Sequence, residues 1–310
     1  MNEFQLIKLL TTGLYTNTTV KVGPGDDCAV LDLQIPGQLL LFKTDAVVEH
    51  IHFLPDADFK LVGQKAFGRC LSDIAAMGGK PGAALVTVAI PDVGESAKLE
   101  LIYQGLNGYA AQFDCPIVGG ETTKSNAGIM ISVSMLGTVS PENLKLRSTA
   151  KPGDAIFVSG ELGGSISGKH LEFEPRVREA QWLVSHFPVH AMIDVSDGLA
   201  GDLRHILDAS KVGAQVFSKT VPISRAAKMK SRSGDAAKPA LLAALTDGED
   251  FELLFTLPAR YAVPLADQWK ISFPGVKISC IGKITDKPGL FLCDENGIRG
   301  FNAHGFDHFS

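Results

Sequence analysis

The sequence predicts a chain of mixed α and β structure in two domains, and three observations predict it. Its 310 residues exceed the usual ~100–200 residues of one domain. Apolar residues make up 45% and charged residues 20%, the balance of a globular chain with a sizeable core. Along its length, stretches of helical spacing alternate with short apolar runs, and Gly and Pro punctuate the changes.

Residues 3–10 place apolar side chains at Phe4, Leu6, Ile7, Leu9 and Leu10, the spacing of a short amphipathic helix before a Thr/Asn-rich loop. "CAVLDL" and "LLLFKT" read as strands with a Pro-Gly turn between them. "FKLVGQKAFGRCLSDIAAM" is helical until Gly78, Gly79 and Pro81 stop it, and "AALVTVAI" is a strand closed by Pro91. A second helix runs from Ser96 to about Phe113. "PIVGGETT" and "GIMISVSMLGTV" then predict a strand, a Gly-rich loop and a long alternating strand.

A break falls at "STAKPGD", residues 148–154, where a turn precedes a new strand, "AIFVSG". This sets domains of 1–147 and 148–310. The second holds "GELGGSISG", a helix over "PRVREAQWLVSHF", the strand "AMIDVSDG" and a helix starting at Leu199. A polar surface stretch follows at about 226–240, and then strands in "EDFELLFTLP", "ISCIGKIT" and "LFLC".

Several function classes are disfavoured. No stretch reaches the roughly 18 apolar residues of a membrane span, and "MNEFQLIKLL" lacks a basic n-region with a cleavage site, so the expected location is cytoplasmic with no membrane partner. A formal charge of −5 offers no concentration of Lys and Arg for a nucleic-acid backbone. Cys28, Cys70, Cys115, Cys280 and Cys293 form no C-x-x-C pair and read as buried free thiols.

The positive signal is acidic. Carboxylates recur in short clusters, most of them beside glycine: "PGDD", "KTD", "LSD", "GGETT", "IDVSDG" and "DGEDFE". Magnesium takes one or two carboxylates and completes its six oxygens with waters and substrate phosphates, so carboxylates from separate loops suit phosphate chemistry. The chain has no EF-hand loop, no P-loop, no kinase H-R-D or D-F-G and no G-x-G-x-x-G after a strand, so any ATP site is of another kind.

"GPGDDCAVLD", "KTDAVVEHIHF", "CLSDIAAMGGKP", "VGGETT", "LRSTAKPGD", "MIDVSDGL", "GEDFELLF" and "GFDHF" stand in the order and approximate spacing of the thiamine-monophosphate kinase family, which this chain resembles from about residue 20 onward. The resemblance implies the two-domain fold of the aminoimidazole ribonucleotide synthetase and selenophosphate synthetase superfamily. In that fold the N-terminal domain binds ATP and Mg²⁺ and forms a dimeric, β-barrel-like core; the C-terminal α/β domain completes the cleft. It also implies ATP-dependent phosphorylation of thiamine monophosphate to thiamine diphosphate, the last step of that cofactor's synthesis. The transfer would be direct and in line, with several Mg²⁺ ions, no covalent nucleophile and a homodimer as the working unit.

Carried over position by position, the resemblance implies metal ligands at Asp27, Thr44, Asp45, Asp73, Glu121, Asp194 and Asp197. It implies ATP contacts at Tyr103, Gly120, Glu121, Arg147 and Ser196, and thiamine-phosphate contacts at His52, Glu249 and Phe306. On local grounds alone Asp73 reads as a polar helix position, Asp194 and Asp197 as helix caps, Arg147 as a surface charge and Phe306 as core. Asp26 has two readings, a turn residue or a group bonded to a ligand.

The chain departs from the family pattern at four places. Glu121 stands where Asp is usual, Lys124-Ser125 where Arg-Gly is usual, Lys43 where Ser or Thr often precedes Thr-Asp, and Gly164 where Asp is frequent. A cation at 43 beside a metal cluster either takes the charge of one ion or points away. Two rivals remain: another ATP-dependent synthetase of the superfamily, and a nucleotide-binding paralogue without turnover.

Overall fold

The computed structural model describes residues 3–92, 94, 96–233 and 238–302. It divides into two compact units, a first of Thr18–Leu144 with His170–Val177 and a second of Met1–Asn17, Lys145–Lys169 and Arg178–Ser310. Helix α1 (Glu3–Thr11) is therefore grouped with the second unit, not with the strands that follow it.

The first unit runs β1 (Val20–Val22), β2 (Ala29–Leu31), β3 (Leu39–Val48), α2 (Phe59–Ala76), β4 (Lys80–Ile90), α3 (Ser96–Gln112), β5 (Ile117–Lys124) and β6 (Met130–Val139). Its sheet has the order β1-β2-β3-β6-β4-β5. Neighbours are antiparallel except β4 and β5, whose parallel pairing needs the crossover that α3 supplies. Alternation sends Leu41, Val47, Val86, Val88, Ile131, Val133 and Met135 into the core, and α2 packs on β3 and β6. The opposite face carries Phe42, Leu85 and Leu136, all exposed.

Helix α2 begins where the Asp58 carboxylate accepts the Lys60 and Leu61 N–H groups, at 2.9 and 3.4 Å, and ends as the chain turns at Gly78 with φ +73°. Two glycines let it lie against α3. A Cβ on Gly63 would sit 2.0 Å from the Ile102 carbonyl oxygen, and one on Gly105 1.9 Å from that of Lys60. The helix that the spacing predicts thus owes its close packing to residues that carry no side chain.

The expected Gly-rich loop in "VGGETT" is instead strand, since β5 continues through Gly119, Gly120 and Glu121. Strand β5 lies at the sheet edge beside β4, and a Cβ on Gly120 would fall 1.8 Å from the Val86 carbonyl oxygen. Glycine here permits close strand contact, a role that turn chemistry does not anticipate.

The remaining elements are β7 (Asp154–Ser159), α4 (Lys169–Glu172), α5 (Val177–His186), β8 (Ala191–Asp194), α6 (Leu199–Ser210), β9 (Gly213–Phe217), α7 (Arg225–Arg232), α8 (Ala240–Thr246), β10 (Leu253–Pro258), α9 (Ala262–Ser272), β11 (Ile278–Thr285), β12 (Gly289–Asp294) and β13 (Gly297–Gly300). The second unit's sheet has the order β13-β12-β9-β11-β7-β10-β8. Its core gathers Ile156, Val158, Ile193, Leu203, Ile206, Leu254 and Ile281 from strands and α6. Helix α7 lies inside the stretch expected to be polar surface. Ser224 caps it by accepting the Ala227 N–H at 3.0 Å, and only Ala227 is buried, so no apolar stripe reveals it.

All five cysteines are free. Cys28, Cys70 and Cys115 are buried as expected, but Cys293 is only half-buried and Cys280 is exposed, beside an irregularity in the pairing of β11 with β7.

Candidate functional site

In the first unit, strand and helix periodicity bring four charged groups together. Lys43 and Asp45 are two apart on β3 and share one face of the sheet; Arg69 and Asp73 are four apart on α2 and share one side of the helix. The pairs cross. Lys43 Nζ donates to Asp73 Oδ1 at 2.9 Å, while Arg69 donates through Nε to Asp45 Oδ2 at 2.9 Å and through Nη2 to Oδ1 at 3.1 Å.

Both pairs are largely shielded, with side-chain exposures of 23% and 10% for Lys43 and Asp73 and 16% and 21% for Arg69 and Asp45. Burial alone would raise the Asp45 carboxyl, but Arg69 and then Lys43 hold it below the ordinary carboxylate range. Burial likewise opposes charge on Lys43, yet Asp73 and Asp45 raise its ammonium above the usual value. Cys70 lies under the quartet and gives its thiol to the Val133 carbonyl at 3.3 Å; burial, then Asp45 and Asp73, push that thiol up.

Asp27 is buried at the turn before β2, and its N–H donates to Asp26 Oδ1 at 3.2 Å. Asp26 is thus bonded to the backbone of the residue expected to ligate metal. Thr44 sits on the other face of the sheet from Asp45, where its hydroxyl meets Ser134 Oγ at 3.1 Å. Glu121 is exposed and pairs in register with Thr87, which is opposite Ser132. Its register therefore puts it on the Thr44 face, away from the quartet.

Tyr103 is exposed on α3, at 39%. His52 is half-buried; its Nδ1 accepts the Val48 N–H at 3.1 Å, which leaves the proton to Nε2, and its carbonyl accepts the fully buried Lys65 ammonium at 2.7 Å.

The second unit assembles its own group. Asp194 ends β8, and Ser196 and Asp197 follow in the loop before α6. The N-cap of α6 is Gly198 and no side chain caps it, so capping does not explain Asp194 and Asp197. Asp197, Asp202 and His205 offer ligand atoms that all lie within 4.8 Å of one another. Asp202 is 1% exposed and accepts the Asp197 N–H at 3.1 Å. Burial, with Asp197 and Asp194 adding to it, pushes the Asp202 carboxyl well above its ordinary value, and the Arg147 charge opposes them.

The loop that carries Glu249 is tied to the same turn. Its N–H donates to the Ser196 carbonyl at 2.6 Å, and Glu249 itself holds φ +63°. Arg147, Asp194, Ser196, Asp197 and Glu249 are thereby gathered within one unit. Phe306 lies outside the described residues.

Charge balance decides where a divalent cation fits. In the second unit the Asp194 and Asp197 charges disfavour charge on the buried Asp202, and a hard cation would relieve that repulsion. In the first unit Asp45 and Asp73 each hold a cation at hydrogen-bond distance, and Asp73 also offers a ligand atom within 4.8 Å of one from the buried Asp27.

Comparison with known proteins accounts for both units. Residues 25–139 match the AIR synthase related protein N-terminal domain, and residues 151–292 match the C-terminal domain. The thiamine-monophosphate kinase of Rhodopirellula baltica is 38% identical over 283 residues, 88% of this chain and 86% of that protein. The chain belongs to the thiamine-monophosphate kinase family. The thiamine-monophosphate kinase of Haemophilus influenzae is 34% identical over 100% of the chain and 98% of its own length. Among solved structures, AaThiL complexed with AMPPCP and TMP is 30% identical with a TM-score of 0.80, over 99% of this chain and 97% of that one. The two-domain, mixed α and β fold implied by the sequence motifs is thereby borne out.

Arg69, Asp202 and His205 escape the motif reading. For Arg69 the signal is the R-x-x-x-D spacing on a helix, and for Asp202 a third carboxylate on the first turn after "IDVSDGL". His205, three residues beyond Asp202, shares its side of α6.

Proposed function

We propose that this chain moves the γ-phosphoryl group of ATP onto the phosphate of thiamine monophosphate, giving thiamine diphosphate and ADP. The carrying observation is its likeness, over 99% of its length, to a structure complexed with AMPPCP and TMP. An unhydrolysable ATP analogue and TMP held at once are what direct transfer requires.

On this reading Mg²⁺ is held by Asp194 and Asp197, with Asp202 adjoining them, and Arg147 pairs with the ATP phosphates. Gly120 and Ser196 approach the nucleotide through the backbone, and Tyr103 lies near it. Asp27, Thr44 and Glu121 are further oxygen donors of the first unit, and they offer places for further ions. When bound, Mg²⁺ neutralises the charge of the phosphate oxygens. The chain's own part is to align: Glu249 and His52 orient the thiamine phosphate, and Phe306 stacks on its ring. The acceptor phosphate is already anionic, so no strong base is required.

The working unit on this reading is a homodimer. The exposed row of Phe42, Leu85 and Leu136 on one face of the first sheet supports it, with two such faces closing a barrel-like core. The five free thiols suit a cytoplasmic location. No helix among the described residues is long and apolar enough to cross a membrane.

One observation favours a rival reading, a nucleotide-binding paralogue without turnover: Asp45 and Asp73 are both tied to cations. Incubation with ATP, Mg²⁺ and thiamine monophosphate, followed by chromatography of the products, separates the two. Thiamine diphosphate and ADP in equal amounts support transfer. Binding without either product supports the paralogue, and ADP alone points to a different acceptor.

A further inference from the structure

The glycine loop "SGELGGS", residues 159–165, meets the acidic loop "DGEDFE", residues 247–252, inside the second unit and donates to it at four points. The Gly163 N–H reaches Asp250 Oδ2 at 2.8 Å, and the Gly164 N–H reaches Asp247 Oδ2 at 3.0 Å. The Ser165 hydroxyl donates to the Gly248 carbonyl at 2.6 Å, and that of Ser159 donates to Glu252 Oε2 at 2.8 Å. We propose that the glycine loop is a positioning element of the thiamine-phosphate site: it grips the residues on both sides of Glu249 and so fixes where Glu249 meets the acceptor. This role rests on the Glu249 contact in the reading above.

Three features carry it. The first is strain. Glu249 and Phe251 hold φ of +63° and +50°, in the left-handed region that residues with side chains rarely enter, and they flank Asp250. A backbone in that state persists only where its surroundings over-determine it. The Ser196 and Val195 carbonyls accept the Glu249 and Phe251 N–H groups at 2.6 and 2.8 Å, and the glycine loop adds its bonds to the residues around them.

The second is burial. Asp250 and Glu252 are 1% exposed and Phe251 3%, whereas Glu249 is half-buried. The anchors lie inside and the residue they bracket keeps access to solvent, which is the arrangement of a presented side chain. The Lys169 ammonium stands 3.0 Å from Glu252 Oε1 and 4.0 Å from Asp250 Oδ1, and so offsets the charge of the anchors.

The third is the use made of the glycine N–H groups. Successive backbone N–H groups in a loop can cradle a phosphate. Those of Gly163 and Gly164, at φ +85° and +72°, are taken by the chain's own carboxylates, so the loop serves Glu249 and not a nucleotide phosphate.

Calorimetric titration with thiamine monophosphate, and separately with AMPPCP and Mg²⁺, tests this on Ser165→Ala, which deletes the hydroxyl that holds Gly248. Loss of one such bond corresponds to a change of about 3–10-fold. The affinity for thiamine monophosphate should fall by that factor, while that for AMPPCP stays at the wild-type value. On a Glu249→Ala background Ser165→Ala should cost no further affinity, because Ser165 acts through Glu249. Unchanged affinity for thiamine monophosphate in folded Ser165→Ala overturns the proposal, as does an equal loss for AMPPCP or a loss that persists on the Glu249→Ala background. A second measurement needs no variant: in the wild-type protein thiamine monophosphate should slow hydrogen/deuterium exchange in 159–165 together with 247–252, and AMPPCP should leave 159–165 unchanged. Protection of 159–165 by AMPPCP alone, or none by thiamine monophosphate, overturns the proposal even where Ser165→Ala fails to fold. Both readouts report binding, so failure here is distinct from failure of the phosphoryl-transfer reading, which is read from thiamine diphosphate.

Discussion

Gly105 of α3 lies so close to α2 that a β-carbon on it would stand 1.9 Å from the carbonyl oxygen of Lys60. Both partners are backbone, so neither can turn aside. Gly105→Ala must therefore separate α2 from α3, and α2 is the helix that carries Arg69 and Asp73. Overpacking of this kind costs about 1–3 kcal/mol. Denaturant titration should show a loss of that size, and unchanged stability would contradict the packing described.

The second prediction concerns pH. Burial raises the Asp250 carboxyl from 3.8 to about 7, against the opposing charge of Lys169. The unfolded chain releases this proton near pH 4, whereas the folded chain keeps it to about 7. Across that window the native state binds more protons, so this group's contribution to stability falls as pH rises. Asp250→Asn keeps an acceptor for the Gly163 N–H, which Asp250 Oδ2 now accepts at 2.8 Å, and removes the titration. Relative to wild type the variant should gain on the order of 2 kcal/mol between pH 5 and pH 8. A parallel pH course for the two proteins would refute the assignment.

Thiol chemistry gives a third. Burial pushes the Cys28 and Cys70 thiols well up and the Cys115 thiol to about 11. Iodoacetamide applied to the native protein at pH 8 should modify Cys280 and Cys293 and spare these three, as read by mass spectrometry of peptides. Early labelling of Cys70 would mean that the quartet above it opens readily.

A fourth bears on the second unit. Asp202 supports the Asp197 backbone and adjoins its carboxylate, so Asp202→Asn preserves the fold while removing a charge from the metal group. Partners of this kind typically matter 10–100-fold in metal affinity. Calorimetric titration with Mg²⁺ should show a loss in that range, and wild-type affinity in the variant would exclude Asp202 from metal binding.

Much of the fold was legible because its elements are periodic. Helix α2 was readable from its apolar spacing and the glycines that end it, and β3, β4 and β6 from their alternation. Helix α7 was not, since one buried Ala in a polar octet leaves no stripe, and β5 was hidden because its glycines resemble a turn. The site was legible as motifs but not as partners. "KTD" and "CLSD" announce carboxylates, yet nothing in either announces that the Lys of the first reaches the Asp of the second. That pairing comes from strand and helix periods meeting in space.

The most direct test of the account follows the atoms transferred. ATP carrying ¹⁸O at its three non-bridging γ oxygens is supplied with Mg²⁺ and thiamine monophosphate, and the products are analysed by mass spectrometry. The account predicts that all three labels arrive together in the terminal phosphate of thiamine diphosphate, with unlabelled ADP. Label found in inorganic phosphate, or no thiamine diphosphate formed, would contradict it.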